Sequence, residues 1–249
     1  MNSFRPRLWT TAGAALLLAA CSGEAGESGA KTPAASAAPV AALGEGGEGG
    51  NEGGGEAGAQ AAFGSISAAS KPALRLGQLK GFVLIALAQK DGPETGGILL
   101  GQGLLEAFDP NAEQYRKLGV DEPLLRKAAK TGQPADLKAA LANIEAAQAR
   151  AGGDPLAVTK GLVGIAAGLY KEAVQPGSVD PIDYQHSLGA ALAAQELLEK
   201  QAAKDERARG ALPEMKKFVG LWPQPSAPET PTPSSAVLAQ ASRLELELS

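Results

Sequence analysis

Residues 44–58 read GEGGEGGNEGGGEAG, and that run limits where a folded core can begin. Ordering a backbone costs about 1–2 kcal/mol per residue, and a stretch of Gly and Glu buries nothing to offset it. A disordered Gly/Glu-rich tether is therefore expected over residues 21–70, with the folded part following it. A Gly-rich coil of about 50 residues has a root-mean-square span near 40 Å. Charge divides the chain in the same way. Residues 22–70 hold six acids and one base, residues 71–221 hold 18 acids and 19 bases, and residues 222–249 hold three acids and one base. The overall net charge is −4, which gives no reason to expect a nucleic-acid partner. Two formal motifs fall in the tether. Residues 44–49 match G-x-G-x-x-G, but no strand precedes them, no helix follows, and their glutamates would repel a pyrophosphate. Ser28-Gly29-Ala30-Lys31 spells S-x-x-K without the helix that motif needs.

The N-terminus has the layout of an export signal. Arg5 and Arg7 precede an apolar stretch over residues 8–18, too short to anchor as a membrane span. It ends in Leu18-Ala19-Ala20-Cys21, which resembles a bacterial lipobox. The resemblance implies cleavage between Ala20 and Cys21 and lipidation of Cys21, the only cysteine in the chain. Several buried acyl chains anchor stably, at about 0.8 kcal/mol per CH2. Ser22 follows the cysteine, where Asp would imply inner-membrane retention. The expectation is a lipid anchor on the periplasmic face of a Gram-negative outer membrane. The competing reading is an ordinary secretory signal in which Cys21 is incidental.

From Lys71 the pattern turns helical. Leu76, Leu79, Val83 and Leu87 recur at spacings of three and four. Asp91-Gly92-Pro93 closes that helix, and residues 98–108 form the next, ended by Asp109-Pro110. Residues 111–118 predict a short helix, and Asp121 predicts a cap for the segment beginning at Pro123. A helix over 134–150 ends at Gly152-Gly153. Asp154-Pro155 opens one running to about Gln175, Asp180-Pro181 opens the longest, to about Arg209, and Pro213 starts a last short one. Pro223 to Pro233 supply five prolines, and residues 237–248 read either as a terminal helix or, through Leu244-Glu245-Leu246-Glu247-Leu248, as an edge strand. The expectation is an all-α helical bundle over 71–221, followed by a Pro-rich tail over 222–249. Gly77/Gly81, Gly97/Gly101 and Gly164/Gly168 lie four apart, which predicts close helix packing in a chain with only two Trp, three Tyr and five Phe. Residues 80–86 (KGFVLIA) and 160–166 (KGLVGIA) agree at five of seven positions, which raises two related helical halves as an option.

Chemistry-bearing residues are sparse. One His and one Cys exclude a zinc, haem or disulfide framework built within this chain. His186 shares a helix face with Ile182, Gly189, Ala190 and Ala193, the setting of a core histidine. Asp183 lies one turn away, so His186 and Asp183 are the candidate ligand-binding pair. Neither a complete metal site nor a catalytic residue is assigned, and no cofactor is expected. Ser187 diverges from His186 by about 100° on a helix, which excludes a dyad. Lys216-Lys217-Phe218 and Trp222 read as the covered end of the bundle with wet lysines, against a membrane contact as the alternative.

Together with Leu79-Lys80-Gly81 and the run from Asp183 to Gly189 (DYQHSLG), the lipobox and tether make the chain similar to a family of uncharacterised proteobacterial lipoproteins. That resemblance implies a non-enzymatic, membrane-anchored protein whose domain binds another envelope component, with its oligomeric state open. A fainter similarity is to imelysin-type periplasmic helical proteins, which implies a metal- or small-ligand-binding alternative. Their G-x-H-x-x-E pattern is missing, since Tyr184 stands two residues before His186.

Overall fold

The computed structural model describes residues 56–249, with side chains from residue 60. The export signal, Ala20, Cys21 and the tether up to residue 55 lie outside the described residues. The regular structure of the described chain is helical apart from one short hairpin, so the all-α reading holds.

The first helix, α1 (Glu56–Ser65), precedes the expected domain start at Lys71. It packs on a later helix through Ala62 and Phe63, so the folded part reaches back into the segment read as tether. No periodic stripe announces α1, because Phe63 is the one large apolar residue in a helix otherwise built of small and polar ones. Next comes α2 (Lys71–Ala88), which is buried on nearly every side. Its Leu74, Leu84 and Ile85 enter one hydrophobic cluster, while Leu76, Leu79, Phe82, Val83 and Ala86 enter a second. Apart from the half-buried line Lys71, Arg75 and Gln78, α2 is buried round its circumference, and it is the element shared by both cores.

The second core is completed by α3 (Pro93–Gly103), α4 (Ala112–Lys117), α5 (Glu122–Thr131) and α6 (Pro134–Ala151). Between α3 and α4 the chain passes through a π-helical turn, Leu104–Phe108, and a 3-10 turn, Asp109–Asn111. Gly132 ends α5 with a left-handed φ of 56°, and a Cβ there would overlap the Pro93 carbonyl. Only glycine fits that junction.

The first core is built from α7 (Pro155–Ala173), α8 (Pro181–Ala202), α9 (Glu206–Val219) and α10 (Ser234–Glu247). Between α7 and α8, β1 (Val174–Gln175) and β2 (Ser178–Val179) pair as a two-residue antiparallel hairpin, which shortens α7 relative to expectation. Asp154 and Asp180 cap α7 and α8, the latter accepting bonds from the amides of Ile182 and Asp183 at 2.8 and 3.0 Å. The longest helix stops at Ala202, not near Arg209. Asp205 leaves helical φ/ψ and accepts from the Arg207 and Ala208 amides, so it restarts the chain as α9. Pro213, expected as a helix start, lies inside α9.

The Pro-rich tail is part of the domain. Tyr170 and Tyr184 donate hydroxyl bonds to the Thr232 and Gln224 carbonyls at 2.8 and 3.2 Å, and Thr232 Oγ1 donates to the Leu221 carbonyl. Beyond this strap, Val237, Ala241, Leu244 and Leu248 are buried while Leu246 is 75% exposed. That spacing is helical and excludes the edge strand. Phe218 and Trp222 are buried at the end of the bundle and Lys216 and Lys217 are exposed, the arrangement of a covered end with wet lysines.

The glycine pairs divide by environment. A Cβ on Gly81 would lie 2.8 Å from the Gly189 carbonyl, and one on Gly189 would lie 2.5 Å from the Gly81 oxygen, so α2 and α8 touch backbone to backbone. Gly101 meets nothing within 4 Å. The two echoed segments also differ in setting. Lys80 is buried between Glu145 of α6 and Glu196 of α8, whereas Lys160 is half-buried and reaches Ser249.

Candidate functional site

His186 lies in the second turn of α8, 2% exposed, at the seam where α2, the π-turn and α8 meet. Its Nδ1 is 3.3 Å from Glu106 Oε2, on the π-turn. The Phe82 ring of α2 stands edge-on to the imidazole with 4.7 Å between centroids. Gly103 packs directly on the Phe82 ring, so close that a Cβ would overlap it. This contact lets the chain before the π-turn approach α2, and the wider turn then brings Glu106 round to the imidazole.

Asp183 is half-buried one turn ahead of His186. Its carboxyl is pushed above the usual carboxylate range, first by burial and then by the like charge of Asp180, with Glu106 adding to the effect and His186 opposing it. The structure thus brings His186, Asp183 and Glu106 into one electrostatic neighbourhood. Sequence reading missed Glu106; its only signal was an acid interrupting the apolar run Leu104-Leu105-Glu106-Ala107-Phe108. Two buried atoms, His186 Nε2 and Gln102 Oε1, have no hydrogen-bond partner among the described residues. Buried polar atoms are normally paired, so each of these stands out from the rest of the described chain. Among the described residues no group of three or more His, Cys, Asp or Glu is arranged to hold a metal ion.

Ser187 points elsewhere. Its hydroxyl donates to the Tyr184 carbonyl at 2.7 Å and accepts from Trp222 Nε1 at 2.9 Å, which ties the bundle end to α8. Gln185 Nε2 donates to Gln89 Oε1 at 3.3 Å and pins the end of α2. Away from this seam, an open groove of about 760 Å3 runs along α7 between α1 and α10, lined by Ala61, Ser65, Gly164, Gly168, Leu238 and Ser242 among others. Gly164 lines this opening, and a Cβ added there would meet nothing nearer than the Ala62 Cβ at 3.8 Å.

Compared with protein-family models, curated proteins and solved structures, the chain matches none of them.

Proposed function

We propose that the chain is a lipid-anchored protein of the bacterial cell envelope whose helical domain binds another envelope component without catalysing a reaction. The observation that carries this reading is the sequence Leu18-Ala19-Ala20-Cys21, in which the only thiol of the chain stands at the lipobox position. No helix among the described residues is long and apolar enough to cross a membrane, so in this reading attachment rests on the acyl chains of Cys21. The non-enzymatic part draws support from Ser187, whose hydroxyl is engaged by Trp222 and Tyr184. The test is fractionation of Cys21→Ala cells. Loss of the protein from the washed membrane fraction is expected, and persistence there refutes the anchor. Crosslinking of the wild type in cells, with Cys21→Ala as control, then identifies the component bound.

The second reading is a small-ligand site at His186, favoured by its buried and unpartnered Nε2. Thermal denaturation with divalent and ferric ions tests it, since a ligand at about 100 Kd adds ~2.7 kcal/mol. Stabilisation lost in His186→Ala supports it; no shift at excess ion removes the metal version.

A further inference from the structure

The outer face of α3 is built the wrong way round for a helix that packs only inward. Glu94, Ile98 and Gly101 recur at spacings of four and three, which sets them in one line along α3, and Leu105 follows four residues on at the start of the π-turn. The inner face is closed by glycines: Gly96 lies 2.8 Å from the Ala86 oxygen by its would-be Cβ, and Gly97 and Gly103 seat against Ala129 and Phe82. Yet Ile98 is 56% and Leu105 67% exposed, two of the four large hydrophobics exposed among the described residues. Between them Gly101 leaves open space where alanine would serve the helix better. The result is a ridge, a notch and a ridge, the relief into which a second helix packs.

Charge tells what that second helix carries. Glu94, Glu106 and Asp183 border the stripe or the seam beside it, and none of them pairs with Lys or Arg among the described residues, whereas Glu113, Glu122, Asp136 and Glu145 on α4 to α6 all do. Glu106 Oε2 lies 3.3 Å from His186 Nδ1, buried beneath it, and meets no Lys or Arg among the described residues. An apolar stripe edged by carboxylates that meet no Lys or Arg repels anionic lipid and nucleic acid and attracts a cation-bearing apolar surface. We infer that the stripe Ile98–Gly101–Leu105 docks an amphipathic helix of a partner protein, its apolar residues in the notch and its Lys or Arg residues on Glu94, Glu106 and Asp183.

This rests on the proposal that the domain is a binding module, and its test is separate from the anchor test. The full chain is purified from whichever cell fraction holds it and, if that is membrane, returned to neutral phosphatidylcholine nanodiscs, with empty discs as blank. The probes are two fluorescein-labelled helical peptides with the same Leu positions, one bearing Lys and the other Glu on its polar face, read by anisotropy. The Lys peptide is expected to bind saturably. Ile98→Ser/Leu105→Ser and, separately, Glu94→Gln/Glu106→Gln/Asp183→Asn should each weaken it about tenfold or more, with circular dichroism unchanged. Leu246→Ser, exposed on α10, should leave it unaltered. No saturable binding, equal binding by all variants, or equal binding of the Glu peptide overturns the inference. So does a doubled mass in solution that Ile98→Ser/Leu105→Ser abolishes, because the face would then belong to a second copy of this chain.

Discussion

Alanine at Gly189 and alanine at Gly101 should change stability in opposite directions, although both positions are helical glycines that follow a leucine. Either substitution gains about 1 kcal/mol from helix propensity. At Gly189 the new methyl would sit 2.5 Å from the Gly81 oxygen, 2.9 Å from the Gly81 carbonyl carbon and 3.3 Å from Ile85 Cγ2. The first two are backbone and cannot rotate aside, so α2 and α8 must separate. Overpacking of this kind costs about 1–3 kcal/mol, and a backbone obstacle places it at the upper end. The net expectation for Gly189→Ala is a loss of about 2 kcal/mol, or roughly 4–8 °C in Tm for a domain of this size. Gly101→Ala meets nothing within 4 Å and should gain about 0.5–1 kcal/mol. Gly81→Ala/Gly189→Ala should cost less than the sum of the singles, because the first methyl already opens the gap the second needs. Urea denaturation followed by circular dichroism measures all of these. A Gly189→Ala protein as stable as wild type would refute the close-packing argument, whatever Gly101→Ala does.

Other outcomes follow from the same contacts. Leu244→Ala empties a fully buried position where α10 covers α7 and α9, and should cost about 2–5 kcal/mol by denaturant unfolding; a cost below 1 kcal/mol would mean that the tail helix is not docked. A chain starting at Lys71 loses Ala62 and Phe63 from the first core and the Arg75 guanidinium contact on the Phe63 ring at 4.9 Å. It should be less stable than one starting at Glu56 by about 2 kcal/mol, and equal Tm values would show α1 to be dispensable. Burial opposes ionisation of Glu145, but hydrogen bonds from Lys200 and Lys80 outweigh it and hold its carboxyl below the usual 4.5. Its contribution is therefore complete above that ordinary value and is lost as pH falls through the lowered one. Acid titration of stability should fall more shallowly below pH 4.5 in Lys80→Met than in wild type, and parallel curves would count against the Lys80 pairing.

What the chain's own order of residues determined was local. Asp-Pro and Asp-capped starts at Asp121, Asp154 and Asp180 hold as read, since a short carboxylate reaches its own next amides whatever surrounds it. Helical spacing of apolar residues likewise decided the fold class, because a stripe repeating every three to four residues buries itself in no other regular structure. Tertiary structure decided the rest. Two apolar stripes on opposite sides of α2 leave the line Lys71, Arg75 and Gln78 as its only polar face, and only the packed molecule sorts the stripes into two cores. The motif Leu244-Glu245-Leu246-Glu247-Leu248 suits a strand or a helix by itself; α7 and α9 select the helix by covering Leu244 and Leu248 and leaving Leu246 in water. Glu106 reached His186 across 80 residues of chain, through a π-turn and a glycine seated on Phe82. Contacts between residues so far apart depend on which helices become neighbours, and no periodicity within either helix encodes that choice.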